Sequence, residues 1–140
     1  MPGEVVLACK INIFCAKFAN FAANFNAYDM DNKHIPEWTR GLNCGIMVCD
    51  AKGDIIYMNE RSLASKGNLL GTNILGCHND RSQGIIRRML DTGGDNAYTI
   101  EKDGIRKFIY QSAWTDGGRV AGLAEIIVEL PAELPHYVRK

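Results

Sequence analysis

An excess of either charge is missing from this chain. Its 140 residues carry 16 basic and 16 acidic side chains, so the formal net charge is zero. A neutral chain has no electrostatic footprint for nucleic acid or an anionic membrane, and both are set aside as main partners. Paired cysteines are missing too. The five present, Cys9, Cys15, Cys44, Cys49 and Cys77, are odd in number and contain no Cys-x-x-Cys. That spacing excludes a disulfide framework and a structural zinc site. No Cys-x-x-Cys-His stands for covalent c-type haem, and free thiols fit a reducing cytoplasm. Residues 5–28 are apolar, but Lys10, Asn12, Lys17, Asn20, Asn24 and Asn26 interrupt them and no basic residue precedes them. A spanning helix wants about 20 nearly uninterrupted apolar residues, so the stretch reads as a soluble helix. No paired carboxylates, phosphate-binding glycine loop or His-Glu-x-x-His motif appears, which leaves no legible catalytic constellation.

What is present suits a folded domain with an appendage: 46% of residues are apolar and 23% charged. Leu7, Ile11, Phe14, Phe18, Phe21, Phe25 and Tyr28 alternate spacings of four and three, a heptad stripe on one helix face. The stripe must be covered, either by folding back on its own domain or by a second copy. Because the repeat spans three heptads, a homodimer through residues 7–28 is expected. Asp29 to Arg40, with Pro36, is a polar connector; Trp38 and Leu42 are expected to re-enter the core edge.

The rest is organised around residues 45–59. Two apolar runs rich in β-branched residues flank Asp50-Ala51-Lys52-Gly53-Asp54, which spells a β-hairpin, and Asn59 opens a helix over 60–66 stopped by Gly67. Residues 69–76 carry too many glycines for one regular helix. N-cap candidates at 79–82 precede Ile85, Ile86, Met89 and Leu90 at helical spacing, with Arg87 and Arg88 outside and Gly93-Gly94 as the stop. Strands follow over 97–102, 105–114 and 119–130, the first two joined by Asp103-Gly104. On the last strand Val120, Gly122, Ala124, Ile126 and Val128 read as the inner face, and Arg119, Leu123, Glu125, Ile127 and Glu129 as the outer.

The order β-β-helices-β-β-β, with Asp50, Gly53, Ile55 and Asn59 in one frame and Gly71-x-Asn73 before the long helix, resembles the PAS fold over about residues 43–132. Asn73-Ile74-Leu75-Gly76-Cys77-His78, Tyr98-Thr99-Ile100-Glu101-Lys102, Ile109-Tyr110-Gln111, Gly122-Leu123-Ala124-Glu125 and the ending from Leu134 to Arg139 are similar to a group of small stand-alone bacterial PAS proteins. In that group proline follows Cys-His, where this chain has Asn79. The resemblance implies an α+β fold: a five-stranded antiparallel sheet with short helices on one face and an N-terminal amphipathic helix before it. The chain then divides into 1–42 (helix and connector), 43–132 (PAS domain) and 133–140 (tail). The implied role is a cytoplasmic, non-enzymatic sensory and signal-transduction module acting through a partner protein in trans. The alternatives are a ligand-free dimerisation or docking module and, last, a thiol enzyme on the same scaffold.

Cys77-His78 is the most chemical pair. A PAS pocket that held haem would take His78 as axial ligand, or Cys77 as thiolate; the plain alternative is a buried small residue beside a histidine bonded to a helix end. Adjacent residues point in different directions, so the pair is poor geometry for a nucleophile and its base. Where light-sensing flavin domains carry a reactive cysteine this chain has Ile74, so a flavin photoadduct is not expected, and non-covalent flavin has no particular residues to hold it. Tyr57, Tyr110 and Gln111 could line a pocket or simply pack on the sheet.

Overall fold

The computed structural model describes residues 36–140. The heptad stripe over 7–28, and whether it pairs or folds back, lies outside them. A short 3-10 turn, Glu37–Thr39, precedes β1 (Gly45–Asp50) and β2 (Ile55–Met58). The hairpin turn is tied from within: Asp50 Oδ1 accepts from the backbone N–H groups of Lys52 and Asp54 at 2.9 and 3.0 Å, and Gly53 takes a φ of 87°. An aspartate turn with glycine at the left-handed position is what such a loop requires.

Helix α1 (Glu60–Lys66) begins where Asn59 ends β2. The Asn59 side-chain oxygen accepts from the N–H groups of Ser62 (3.1 Å) and Ile46 (2.9 Å), while its amide donates to the carbonyls of Cys44 (2.7 Å) and Thr39 (3.2 Å). One buried side chain thus caps the helix and joins it to β1 and the incoming loop, with its polar groups satisfied. Turns follow, then a 3-10 helix at Ile74–Cys77 capped by Asn73. Helix α2 (Asp80–Thr92) is capped by Asn79, which accepts from Ser82 N–H at 3.0 Å, and stops at Gly93. Ile86 and Met89 face inward and Arg87 and Arg88 outward, as a period of 3.6 demands.

Three long strands complete the sheet: β3 (Asp95–Lys102), β4 (Ile105–Asp116) and β5 (Arg119–Glu129). Its order is β2-β1-β5-β4-β3, all antiparallel, so the last strand in sequence occupies the centre. Met47, Cys49, Ile55, Met58 and Leu123 from the sheet pack against Ile74, Ile86 and Met89 from the helical side.

Two expectations are corrected. The inner face of β5 is the other one. Leu123 and Glu125 are buried beneath the helical side, and Ile127 continues their row, whereas Ala124, Ile126 and Val128 lie half-buried on the opposite face. Hydropathy misassigns the strand because both faces are apolar and Glu125 counts against its own; the structure compensates that charge. Gly122, expected on the inner face, lies with Ala124 on the opposite one, and what keeps it small there is the neighbouring strand. Trp114, its cross-strand partner, donates from Nε1 to the Cys49 carbonyl at 3.0 Å, and a Cβ at Gly122 would overlap both groups. Trp38, second, is not at the core edge but 67% exposed. Within its turn it is Thr39 that meets the sheet, its hydroxyl 2.8 Å from the Tyr57 hydroxyl.

Candidate functional site

The helices pack on β1, β2 and β5 and touch β4 only slightly, leaving the same face of β3 and much of β4 open. Between that open face and the C-terminal end of α1 lies a cavity of about 200 Å³, whose lining includes Lys66, His78, Tyr98, Lys107, Ile109 and Glu125. A smaller hollow of about 20 Å³ beside Cys44, Arg61 and Glu129 has room for little more than one water.

Glu125 sits at the back of the cavity with 2% of its surface exposed. Lys66 Nζ donates to its Oε1 at 3.0 Å and Gln111 Nε2 to its Oε2 at 2.7 Å. Gln111 in turn accepts at Oε1 from Asn96 Nδ2 at 3.0 Å. The register makes this chain inevitable once the sheet forms, since Asn96 stands opposite Gln111 and Gln111 opposite Glu125. A polar row therefore crosses the inner face from the edge strand to the central one.

His78 completes the cluster. Its Nδ1 lies 2.9 Å from the Ile74 carbonyl, and its Nε2 lies 3.6 Å from Glu125 Oε2. A carbonyl only accepts, so Nδ1 carries a proton; facing a carboxylate with Nε2 favours a second proton there. At 3.6 Å the latter contact is an ion pair rather than a hydrogen bond, and the Lys66 and Gln111 bonds are the firmer ones. Glu125 raises the His78 pKa above its ordinary value; burial opposes this and the Ile74 carbonyl assists it. For Glu125, burial alone would push the carboxyl up. His78, the Lys66 charge and the Gln111 amide together reverse that and hold it at about 2. Burial pushes the Tyr98 hydroxyl up, and the Glu125 charge adds to it.

Of the residues singled out in the sequence, His78 and Gln111 meet at Glu125. Cys77 is exposed. Tyr57 and Tyr110 lie on the opposite face of the sheet: Tyr57 pairs with Val48 and bonds Thr39, and Tyr110 donates to Asp95 Oδ2 at 3.3 Å. Sequence reasoning missed Glu125, Lys66, Tyr98 and Lys107. The available signal was an acid sharing the strand parity of Leu123 and Ile127 on an otherwise apolar strand.

The geometry does not fit haem. His78 Nε2 is turned to Glu125 across a gap with no room for a metal macrocycle, and the Cys77 thiol is exposed. The cavity also falls below the roughly 300–1,000 Å³ of drug-sized ligand pockets. Among the described residues no helix is long and apolar enough to cross a membrane.

No protein-family model matches the sequence, and no curated protein is similar to it. Solved structures are similar in fold. The VqmA dimer of Vibrio cholerae superposes with a TM-score of 0.55 at 17% identity, over 73% of this chain and 54% of that one. The Aer2 receptor of Vibrio cholerae, described as a dual PAS-haem oxygen sensor, gives 0.50 at 20% identity, over 66% and 99%. The sensor region of a sensor histidine kinase gives 0.50 at 16% identity, over 61% and 38%. The chain thus spans about half of VqmA and less than half of the kinase sensor region. A central last strand in a five-stranded antiparallel sheet, with its helices on one side, places the molecule in the α+β class. Together with these likenesses, it establishes that the chain has the PAS fold.

Proposed function

We propose that the chain is a non-enzymatic sensory module in which the cavity beneath Glu125 receives a small ligand. The observation that carries this reading is a buried carboxylate, fully compensated by groups from separate elements, at the back of a hollow open to solvent. Desolvated charges with specific partners beside a cleft concentrate at functional sites. Glu125, Lys66 and His78 are engaged with one another or with backbone, both ring nitrogens of His78 included, which speaks against a general base waiting for a substrate. The sensory domain spans residues 43–132, with 1–42 and 133–140 as helix-plus-connector and tail. It acts in the cytoplasm as a homodimer through residues 7–28, handing its signal to a partner protein in trans.

A second reading, a ligand-free docking module, is favoured by the open edge strand β3, which exposes Tyr98 and Ile100. Native mass spectrometry of the protein purified from its own host, followed by a thermal-shift screen of metabolites, separates the two. A retained small molecule or a ligand-raised Tm supports the sensor. Neither, with a protein partner co-purifying, moves the assignment to docking. Light scattering of Phe14→Asp and Phe18→Asp tests the pairing, and an unchanged dimer would remove residues 7–28 from the interface.

A further inference from the structure

We infer that the cavity takes a short aliphatic carboxylate. The inference rests on the sensory reading above and goes on to name the ligand's chemistry. It follows from which hydrogen-bonding groups at the cavity are already used and which remain.

The acceptors are used. Glu125 Oε1 accepts a hydrogen bond from Lys66 and Oε2 one from Gln111, with His78 also facing Oε2, while Gln111 Oε1 accepts from Asn96. The donors are not. An ammonium has three N–H bonds, and Lys66 Nζ commits one of them to Glu125. Lys107 Nζ stands 3.5 Å from Glu129 Oε1, a half-exposed carboxylate that Arg61 already holds at 3.0 Å. The Tyr98 hydroxyl has no hydrogen-bond partner among the described residues. A ligand entering here meets spare N–H groups on Lys66 and Lys107, whereas Glu125 and Gln111 are 2% exposed with their oxygens turned to their partners, so acceptors on the ligand are the better match.

Charge selects in the same direction. Lys66 and Lys107 line the cavity, with His78 turned to Glu125, against one lining carboxylate, Glu125, which is buried behind its partners; Glu129, outside the lining, is shared by Lys107 and Arg61. The excess is positive and its lysines are more exposed than Glu125, so an anion gains from it where an amine would be repelled. The remaining wall is aliphatic. Ile100, Ile109 and Ile127 border the same space, offering a surface that inorganic phosphate would leave unused and a short alkyl chain would cover. A carboxylate head at Lys66, Lys107 and Tyr98, with a few methylenes along the isoleucines, satisfies each of these features within about 200 Å³.

The test titrates the full chain with hexanoate, hexanol, hexylamine and inorganic phosphate, by calorimetry and by NMR at the isoleucine methyls and Tyr98. Hexanoate should bind roughly tenfold more tightly than hexanol, the worth of one charge-assisted hydrogen bond, with hexylamine and phosphate weaker still. Lys107→Met, which leaves the Glu125 bonds in place, should weaken hexanoate and leave hexanol unchanged. Hexylamine or hexanol binding as tightly as hexanoate overturns the carboxylate assignment and leaves the cavity as a ligand site. Phosphate binding as well as hexanoate overturns the aliphatic part. Absence of any shift at the cavity with all four probes overturns the inference. The sensory reading falls with it only if native mass spectrometry of host-purified protein also finds nothing bound.

Discussion

Replacing Glu125 with glutamine should change how the stability of this protein depends on pH far more than it changes the fold. Glutamine keeps the size and shape of the side chain and removes its charge. In the wild type the carboxyl moves from 4.5 when unfolded to about 2 when folded. At ~1.4 kcal/mol for each pH unit between the two, the ionised form contributes about 3 kcal/mol. The sign is fixed by the direction: a depressed carboxyl stabilises fully above 4.5, and the contribution is lost as pH falls toward 2. His78 acts on the other flank. Its pKa is raised mainly by Glu125, so its contribution is present below its unfolded value of 6.5 and disappears as pH rises through the folded value. The stability gap between wild type and Glu125→Gln should therefore be widest between pH 4.5 and 6.5 and narrow on both sides, by about 3 kcal/mol on the acid side. Urea unfolding at closely spaced pH values, followed by tryptophan fluorescence, measures it. A gap that stays flat from pH 5 to 2 would refute the view that Glu125 is held ionised by its partners.

Other outcomes follow from single contacts. Asn59→Ala removes a helix cap and strands the buried groups it satisfied, and should cost about 2–4 kcal/mol in urea unfolding; a loss below 1 kcal/mol contradicts its place as the joint of three segments. Gly122→Ala drives a methyl into the Cys49 carbonyl and the Trp114 indole and should destabilise by about 1–3 kcal/mol or more. Tryptophan emission should shift with it, and an unperturbed variant would mean the strands are less tightly apposed. In the native protein iodoacetamide should modify Cys77 readily and Cys49 hardly at all. Cys49 is buried, and burial pushes its thiol up to about 11. Peptide mass mapping reads the two sites separately, and equal labelling would contradict the core assignment.

What could be read from the sequence is what is decided within a few residues. Asp50, Gly53, Asn79 and Gly93, and Asn59 in its capping of Ser62, act through backbone groups no more than four positions away, and each element they start or stop lies within a residue or two of expectation. The strand faces were harder. β5 is the central strand and apolar on both sides, so alternation alone could not say which side met the helices. The cluster at Glu125 was hardest, because its partners are remote. Lys66 is 59 positions away along the chain and Gln111 is 14 away, and only the sheet order brings them together. His78 was legible as a chemical residue, but its partner was not, and that partner turns a metal-ligand expectation into an ion-pair geometry. Trp38 went wrong for a local reason: a three-residue turn decides which of its side chains meets the sheet.

The groups that hold Glu125 differ in how freely they can move, and that difference says where a change at the carboxylate must travel. Glu125 and Gln111 lie within paired strands, β5 being bonded to β1 on one side and β4 on the other. Shifting either would break ladder hydrogen bonds on both flanks. Lys66 is the last residue of α1, before Gly67 at a φ of 75°, and His78 lies between the 3-10 helix and α2. Both sit at element ends, where few backbone bonds resist displacement. Loss of the carboxylate charge should therefore loosen residues 66–79 and leave the β5 ladder as it was. Hydrogen exchange on Glu125→Gln resolves the two regions. Faster exchange in the segment around Gly67 and His78, with β5 amides unchanged, is expected. Deprotection of β5 with a quiet 66–79 segment would mean that the sheet, not the helical ends, responds to the state of the buried acid.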